Sequence, residues 1–260
     1  MGLGTFFNVA KVCLRDPRVL MGRKKYLFLL SHMRSYSSLL AHLLGSHVEI
    51  EGHSERLRSY TNPRDLLKTR YAEFRSNGNG GYSYLLDKIL HNQFEISDQV
   101  LGMRDTRLIV FVRKPADTLR SIFRMGRDLI QDESYCDMDR NCEYYIQRLD
   151  RLVQYCKQAP AKPLYFDSEL IVQQTDELLS FLTDWLELSS PLTSEYTVFP
   201  NTGASFLGDP SENIQQGQIV KPTMSTNESQ DEVPRDILET ANEHYNKSRQ
   251  AFMAHCRSFH

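Results

Sequence analysis

The sequence predicts an α/β fold, a three-layer sandwich in which a central, mostly parallel sheet carries helices on both faces. Three observations predict it. The runs Tyr26–Ser31 (YLFLLS) and Arg107–Val112 (RLIVFV) are apolar almost throughout, as central parallel strands buried on both faces are. Each is followed by a segment with helical spacing of its apolar residues. Strand-like and helix-like segments then alternate along the chain, the pattern of a parallel sheet joined by crossover helices.

In chain order, Tyr26–Ser31 is the first strand, and Ser35–Leu44 follows as a helix with Leu39, Leu40, Leu43 and Leu44 on one face. Val48–Ile50 reads as a short strand. Pro63–Arg75 is a helix with proline in its first turn, where the missing N–H costs nothing. Ser76–Gly81 (SNGNGG) is a turn, Tyr82–Leu90 a strand and Ile96–Met103 a short helix. After Arg107–Val112 come the helices Lys114–Asp128 and Glu143–Gln158, the strand Pro163–Phe166 and the helix Thr175–Leu188. Pro191–Asp231 is irregular and rich in Gly, Ser, Asn and Gln; we read it as a long functional loop or a lid, since loops of that length are rarely idle. Pro234–Cys256 closes the chain as a helix. No internal repeat is visible, and residues 1–260 read as one domain.

Composition narrows the function classes. Thirty-one basic against 33 acidic residues give a net charge of -2, which excludes a general nucleic-acid binder. An anion site must therefore come from local positive charge. The five cysteines include no C-x-x-C pair, so we expect reduced structural thiols and no metal site. Lys11, Arg15 and Asp16 interrupt the N-terminal segment before any long apolar run, and Phe6 stands where a myristoylation pattern needs Ser or Thr. The expectation is a cytoplasmic protein without membrane insertion.

The first chemical feature is the loop Ser31–Ser38 (SHMRSYSS) between strand and helix. The first N–H groups of a helix lack partners and, with the helix dipole, attract an anion. Ser35, Ser37 and Ser38 add hydroxyl donors, and Arg34 adds a planar cationic fork. The loop lacks the glycines and the lysine of G-x-x-x-x-G-K-[ST], which disfavours magnesium-dependent ATP hydrolysis. An ordinary serine-rich helix start explains it equally well on its own.

The second feature is Arg113 at the carboxyl end of RLIVFV, followed by Lys114-Pro115 and, eight residues after the arginine, Ser121. Ligands of open parallel sheets bind beyond strand carboxyl ends. Two helical turns bring Ser121 to the same side, which gives a second anion site apart from the first.

In this order the two features resemble the sulfotransferases that use 3′-phosphoadenosine 5′-phosphosulfate. The first signature corresponds to Arg34-Ser35-Tyr36-Ser37-Ser38 with Leu39-Leu40, the second to Arg113-Lys114-Pro115 and Ser121. Leu164–Leu170 (LYFDSEL), followed by Phe181-Leu182 and Trp185–Leu188, resembles a third, weaker signature. The resemblance spans roughly residues 26–190 and is closer to carbohydrate- or glycolipid-type members than to the cytosolic aryl type. It implies a P-loop-NTPase-like fold and transfer of a sulfuryl group to a hydroxyl of a sugar, glycolipid or other small molecule, without metal or nucleic acid.

By the same resemblance, Ser35, Ser37 and Ser38 with their amides hold the 5′ group, Arg113 and Ser121 hold the 3′ phosphate, and Arg34, Tyr36, Leu39 and Tyr165 also contact the donor. Arg34 occupies the position of the family's basic catalytic residue. For the general base the resemblance offers Glu55 first and His91 second, with Lys88 as a further charge stabiliser. Two departures stand out. Tyr36 replaces the usual glycine, which narrows the approach and demands tolerable backbone angles. The loop Gly203–Asp209 carries no base for the 3′ phosphate, leaving Ser205 and backbone amides to take that contact. The competing readings are a kinase or phosphohydrolase with an atypical loop, and a non-catalytic nucleotide-binding protein of the same fold.

Overall fold

The computed structural model describes residues 24–77, 81–200, 202, 212–220 and 232–260. Ser205, the loop Gly203–Asp209 and much of Pro191–Asp231 lie outside the described residues. Six strands form one sheet: β1 Lys25–Leu30, β2 Ile50–Glu51, β3 Tyr84–Ile89, β4 Thr106–Val112, β5 Leu164–Asp167 and β6 Arg257–Ser258. Their order is β2-β3-β1-β4-β5-β6, and every pairing is parallel.

The alternation of side chains along each strand sorts the two cores. Tyr26, Phe28 and Leu30 of β1 and Leu108, Val110 and Val112 of β4 point to one face. Leu27, Leu29, Ile109 and Phe111 point to the other. Both faces are apolar because both are covered. Helices α1 (Ser37–Gly45), α6 (Leu170–Gln173) and α7 (Thr175–Leu186) pack on the second face. Helices α2 (Pro63–Asn77), α3 (Asp98–Leu101), α4 (Pro115–Arg124), α5 (Met138–Gln158) and α8 (Arg235–His255) pack on the first. Four cysteines, 136, 142, 156 and 256, are free thiols. No described helix is long and apolar enough to cross a membrane.

Several boundaries differ from the sequence reading, each for a local reason. Helix α1 begins at Ser37 rather than Ser35, because Arg34 and Tyr36 take left-handed backbone conformations with φ of 63° and 62°. The helix expected over Lys114–Asp128 is α-helical only to Arg124 and continues as a π-helical turn over Met125–Ile130. Helix α5 begins five residues before the expected Glu143, where Asp137 caps it by accepting the Arg140 N–H. The two-residue strand β6 follows α8 directly and pairs with β5.

The architecture positions one crevice. Strand β1 is central, between β3 and β4. The chain leaves β1 through α1 on one face and leaves β4 through α4 on the other. Loops that diverge to opposite faces open a gap at the strand carboxyl ends, where ligands of such sheets bind.

Candidate active site

A cavity of about 460 Å³ occupies this gap. Arg34, Tyr36, Ser37, Ser38 and Leu39 line it from the β1–α1 loop and Arg113 from the end of β4. Glu55 and His91 line it from the segments following β2 and β3. Tyr196, Asn213, Ile214 and Val220 contribute from the described parts of the long irregular segment.

The β1–α1 loop is shaped as an anion cradle. No side chain caps α1 and no acid stands in its first turn. The first bond into the helix runs from Leu40 N–H to the Tyr36 carbonyl. The amides of Ser37, Ser38 and Leu39 therefore precede the helical ladder and face the crevice side of the helix start. The serines divide their work. Ser37 and Ser38 line the cavity, whereas Ser35 is fully buried, with its hydroxyl between Ser31 Oγ (2.6 Å) and the His32 carbonyl (2.7 Å). Ser35 thus holds the loop's curvature.

The two anion features expected apart are joined. Arg34 Nε donates to Ser121 Oγ at 2.9 Å, and Arg113 Nη1 donates to the Arg34 carbonyl at 3.2 Å. The Arg113 guanidinium also lies over the Tyr36 ring, 4.5 Å from its centroid. Buried His32 ties the loops from below. Its Nδ1 lies 2.8 Å from the Met33 carbonyl and must donate, while Nε2 accepts from the Arg113 N–H at 3.0 Å. That fixes the neutral tautomer, and burial pushes its pKa down to about 3. His32 is a brace, not a proton carrier.

The acid–base corner lies on the other side of the cradle. Lys88, with a side chain 1% exposed, places Nζ 3.2 Å from Ser38 Oγ and 3.6 Å from Glu55 Oε1. His91 Nε2 lies 3.4 Å from the other Glu55 oxygen. Burial pushes Glu55 upward, but His91 and Lys88 outweigh it and hold the carboxyl below its usual range. The two alternatives for the general base are thus neighbours in one cluster. The lysine absent from the loop sequence is supplied in space by β3. Neighbouring Asp87 points to the opposite face, where Tyr60 Oη donates to it at 2.6 Å.

Glu55 reaches this corner because of Gly52. Gly52 has φ of 110°, and a Cβ there would meet the Leu86 carbonyl oxygen at 2.5 Å. Only glycine lets the chain turn this tightly over β3. His53 is drawn away from the corner and stacks on Phe199 at 3.8 Å.

Tyr165 lies elsewhere. It is fully buried against Phe252, and its hydroxyl is 2.5 Å from Asp167 Oδ1, so it faces the α8 layer and not the cavity. Sequence reasoning also left α5 as packing, and the structure gives it more to do. Tyr144 Oη accepts from Met33 N–H and donates to the Leu90 carbonyl, both at 2.8 Å. Tyr145 Oη donates to the Arg113 carbonyl at 2.7 Å. Fully buried Arg148 donates from Nε to the Ser31 carbonyl at 2.7 Å and from Nη2 to the Ile89 carbonyl. One helix thus fastens the ends of β1, β3 and β4. Arg148 follows Tyr145 by three residues and Tyr144 by four, the spacings of one helix face; their targets lie 32 to 117 residues away, where no local pattern reaches.

The chain has the P-loop-like α/β fold of sulfotransferases. Among solved structures it is similar to the sulfotransferase domain from the curacin biosynthetic pathway, with a TM-score of 0.53 and 14% identity, over 86% of this chain and 98% of that one. A mouse sulfotransferase complexed with PAP overlays partially, with a TM-score of 0.44 and 17% identity, over 65% of this chain and 60% of that one. No family profile and no curated protein matches the sequence. Among the described residues no group of three or more His, Cys, Asp or Glu could hold a metal ion.

Proposed function

We propose that this protein is a sulfotransferase that takes its sulfuryl group from 3′-phosphoadenosine 5′-phosphosulfate and passes it to an acceptor hydroxyl. The observation that carries the reading is one cavity holding both halves of the required chemistry: a cationic, amide-rich cradle and an acid–base corner, linked by Lys88, whose Nζ lies 3.2 Å from Ser38 Oγ and 3.6 Å from Glu55 Oε1.

The residues fit a doubly anionic donor. Arg113 Nε is buried without a hydrogen-bond partner, and a buried guanidinium nitrogen of that kind seeks an anion. Tyr36 fits as well. Its backbone takes the left-handed conformation that glycine adopts freely, and its ring lies on Arg113. Ser37, Ser38 and the first α1 amides would hold the 5′ group, and Arg113 with Ser121 the 3′ phosphate.

The donor supplies the transferable sulfuryl group, and the chain's own residues do the rest. Glu55 is ionised at neutral pH and accepts the acceptor's proton, with His91 poised against its second oxygen. Lys88 and Arg34 bring positive charge to where the leaving phosphate oxygen gains negative charge in a loose, in-line transfer. The balanced products are the sulfate ester, 3′,5′-adenosine bisphosphate and one proton.

The test is calorimetry with 3′,5′-adenosine bisphosphate and with magnesium ATP. The bisphosphate is expected to bind more tightly, and Arg113→Ala to weaken it about 100-fold, the scale of a lost charge-assisted pair. Equal or tighter ATP binding overturns the donor assignment in favour of a kinase or phosphohydrolase.

A further inference from the structure

The acceptor side of the cavity is built from apolar groups. Leu57 follows Glu55 by two residues and Leu90 precedes His91 by one, and both line the cavity. Met33 and Leu90 are neighbours, because one hydroxyl, that of Tyr144, lies 2.8 Å from a backbone atom of each. Met125 stands one turn after Ser121, the residue that Arg34 Nε touches, and Ile130 ends the same π-helical turn. Leu57, Leu90 and, beside Leu90, Met33 thus accompany the Glu55–His91 pair in the lining, and Met125 and Ile130 line the same cavity. The further uncharged polar side chains of the lining include Gln93, Tyr135 and Asn213.

Leu57 is the telling residue. It is 45% exposed and holds a left-handed backbone with φ of 48°. A leucine gains nothing from water or from that conformation, and strain of this kind persists where the site needs the side chain. The following shell repeats the theme, since Leu129 of the π-helical turn is 46% exposed. π-helical turns are themselves concentrated at functional sites.

We infer that the acceptor is a hydroxyl carried on an apolar body, a long-chain alcohol or an alkyl-substituted phenol, and not a free sugar. This rests on the sulfotransferase reading. A sugar ring would bring several further hydroxyls against Met33, Leu57, Leu90, Met125 and Ile130, where they would lose water without gaining partners. An alkyl or aryl body gains by the same burial, and the cavity's polar groups are left for the one hydroxyl that reacts.

The experiment first loads the protein with 3′,5′-adenosine bisphosphate and confirms that loading by calorimetry. Binding of 1-decanol, 4-tert-butylphenol and methyl β-galactoside to the loaded protein is then followed by saturation-transfer NMR. Turnover of each is measured with 3′-phosphoadenosine 5′-phosphosulfate. We expect kcat/KM for the better apolar acceptor to exceed that for the galactoside by about 100-fold, the discrimination a pocket of this kind reaches. Leu57→Asn, which suits the left-handed backbone, is expected to lower apolar-acceptor binding about tenfold and leave bisphosphate binding unchanged. The decanol and phenol arms tell an alkyl from an aryl body. Galactoside binding or turnover equal to that of both apolar probes overturns this inference while the sulfotransferase reading stands. Bisphosphate binding that leaves both apolar probes unbound overturns it equally. Failure of the protein to take up bisphosphate at all removes the sulfotransferase reading itself.

Discussion

Glu55 and Asp167 are both carboxylates at the carboxyl edge of the sheet, and both are held below their usual range against the upward push of burial. They differ in what holds them. Asp167 is gripped by the Arg249 fork at 2.7–3.1 Å, by the Tyr165 hydroxyl at 2.5 Å and, more loosely, by Tyr245 at 3.4 Å. Those partners belong to β5 and α8 and close the acid off from the crevice. Glu55 is held by looser ionic contacts of 3.4–3.6 Å to His91 and Lys88, and it faces the cavity. A permanently charged arginine and two phenols make a clasp. A histidine and a lysine at longer range leave the Glu55 carboxylate open to the cavity.

The comparison breaks or sharpens most strongly at the acids themselves. Glu55→Gln keeps the shape and removes the base, so kcat is expected to fall about 10²- to 10⁴-fold, the usual worth of a positioned base. Bisphosphate affinity should stay within about threefold, which calorimetry reads. With Glu55 as the base, the acid limb of kcat/KM against pH, which reports the free enzyme, lies below the ordinary glutamate range, because its folded pKa is lowered. An acid limb near neutrality, or full activity in Glu55→Gln with loss in His91→Gln, transfers the proton to His91. The matching change at Asp167→Asn should leave kcat unchanged and cost about 2 kcal/mol of stability, the scale of hydrogen bonds to a charged group. Urea denaturation of the two variants side by side separates site from clasp.

A third acid, Asp87, sharpens the rule from the opposite direction. It is 3% exposed, and burial pushes its pKa up to about 6 despite the Tyr60 hydroxyl and the Arg56 and Lys88 amides. Here burial outweighs those donors and also the charge of Arg56, which is itself paired with Glu73. The unfolded acid titrates near 3.9, so the folded state holds the extra proton between about pH 4 and pH 6. Stability should therefore fall as pH rises through that window, by on the order of 2–3 kcal/mol, and then level off. Asp87→Asn removes this slope. A flat denaturation midpoint across the window in the wild type would mean that Asp87 is ionised like the other two.

These three acids also show how far the sequence carries. Strands β1 and β4 were legible because burial on both faces leaves an unbroken apolar run, and Pro63 marked the start of α2. Arg34, Ser37, Ser38 and Arg113 were legible because a strand end followed by a helix start places them in the crevice by topology alone. Tyr165 followed the same logic and is turned to the opposite face by the period of its strand; Leu164 and Phe166 point one way and Tyr165 the other. The convergence of Glu55, Lys88 and His91 was open in the sequence, since nothing local says that the turn at Gly52 will lay residue 55 over β3. The bracing by His32, Tyr144, Tyr145 and Arg148 was invisible for the same reason.

The smallest effect is expected at Tyr36, the residue by which the cradle departs most from the family it resembles. Two local terms oppose each other there. A non-glycine residue at φ of 62° carries roughly 1 kcal/mol of backbone strain. The ring over Arg113, 4.5 Å from the guanidinium carbon, returns about as much at a half-buried site. Tyr36→Gly should therefore leave stability within about 1 kcal/mol of wild type, while Tyr36→Val, with strain kept and the stack lost, should fall below both. The readouts then part in a useful way. If the ring only occupies space, Tyr36→Gly tightens bisphosphate binding by opening the approach to the α1 amides. If the ring holds the Arg113 guanidinium in place for its anion, as its stacking geometry indicates, the same variant weakens binding a few-fold and Tyr36→Phe restores it.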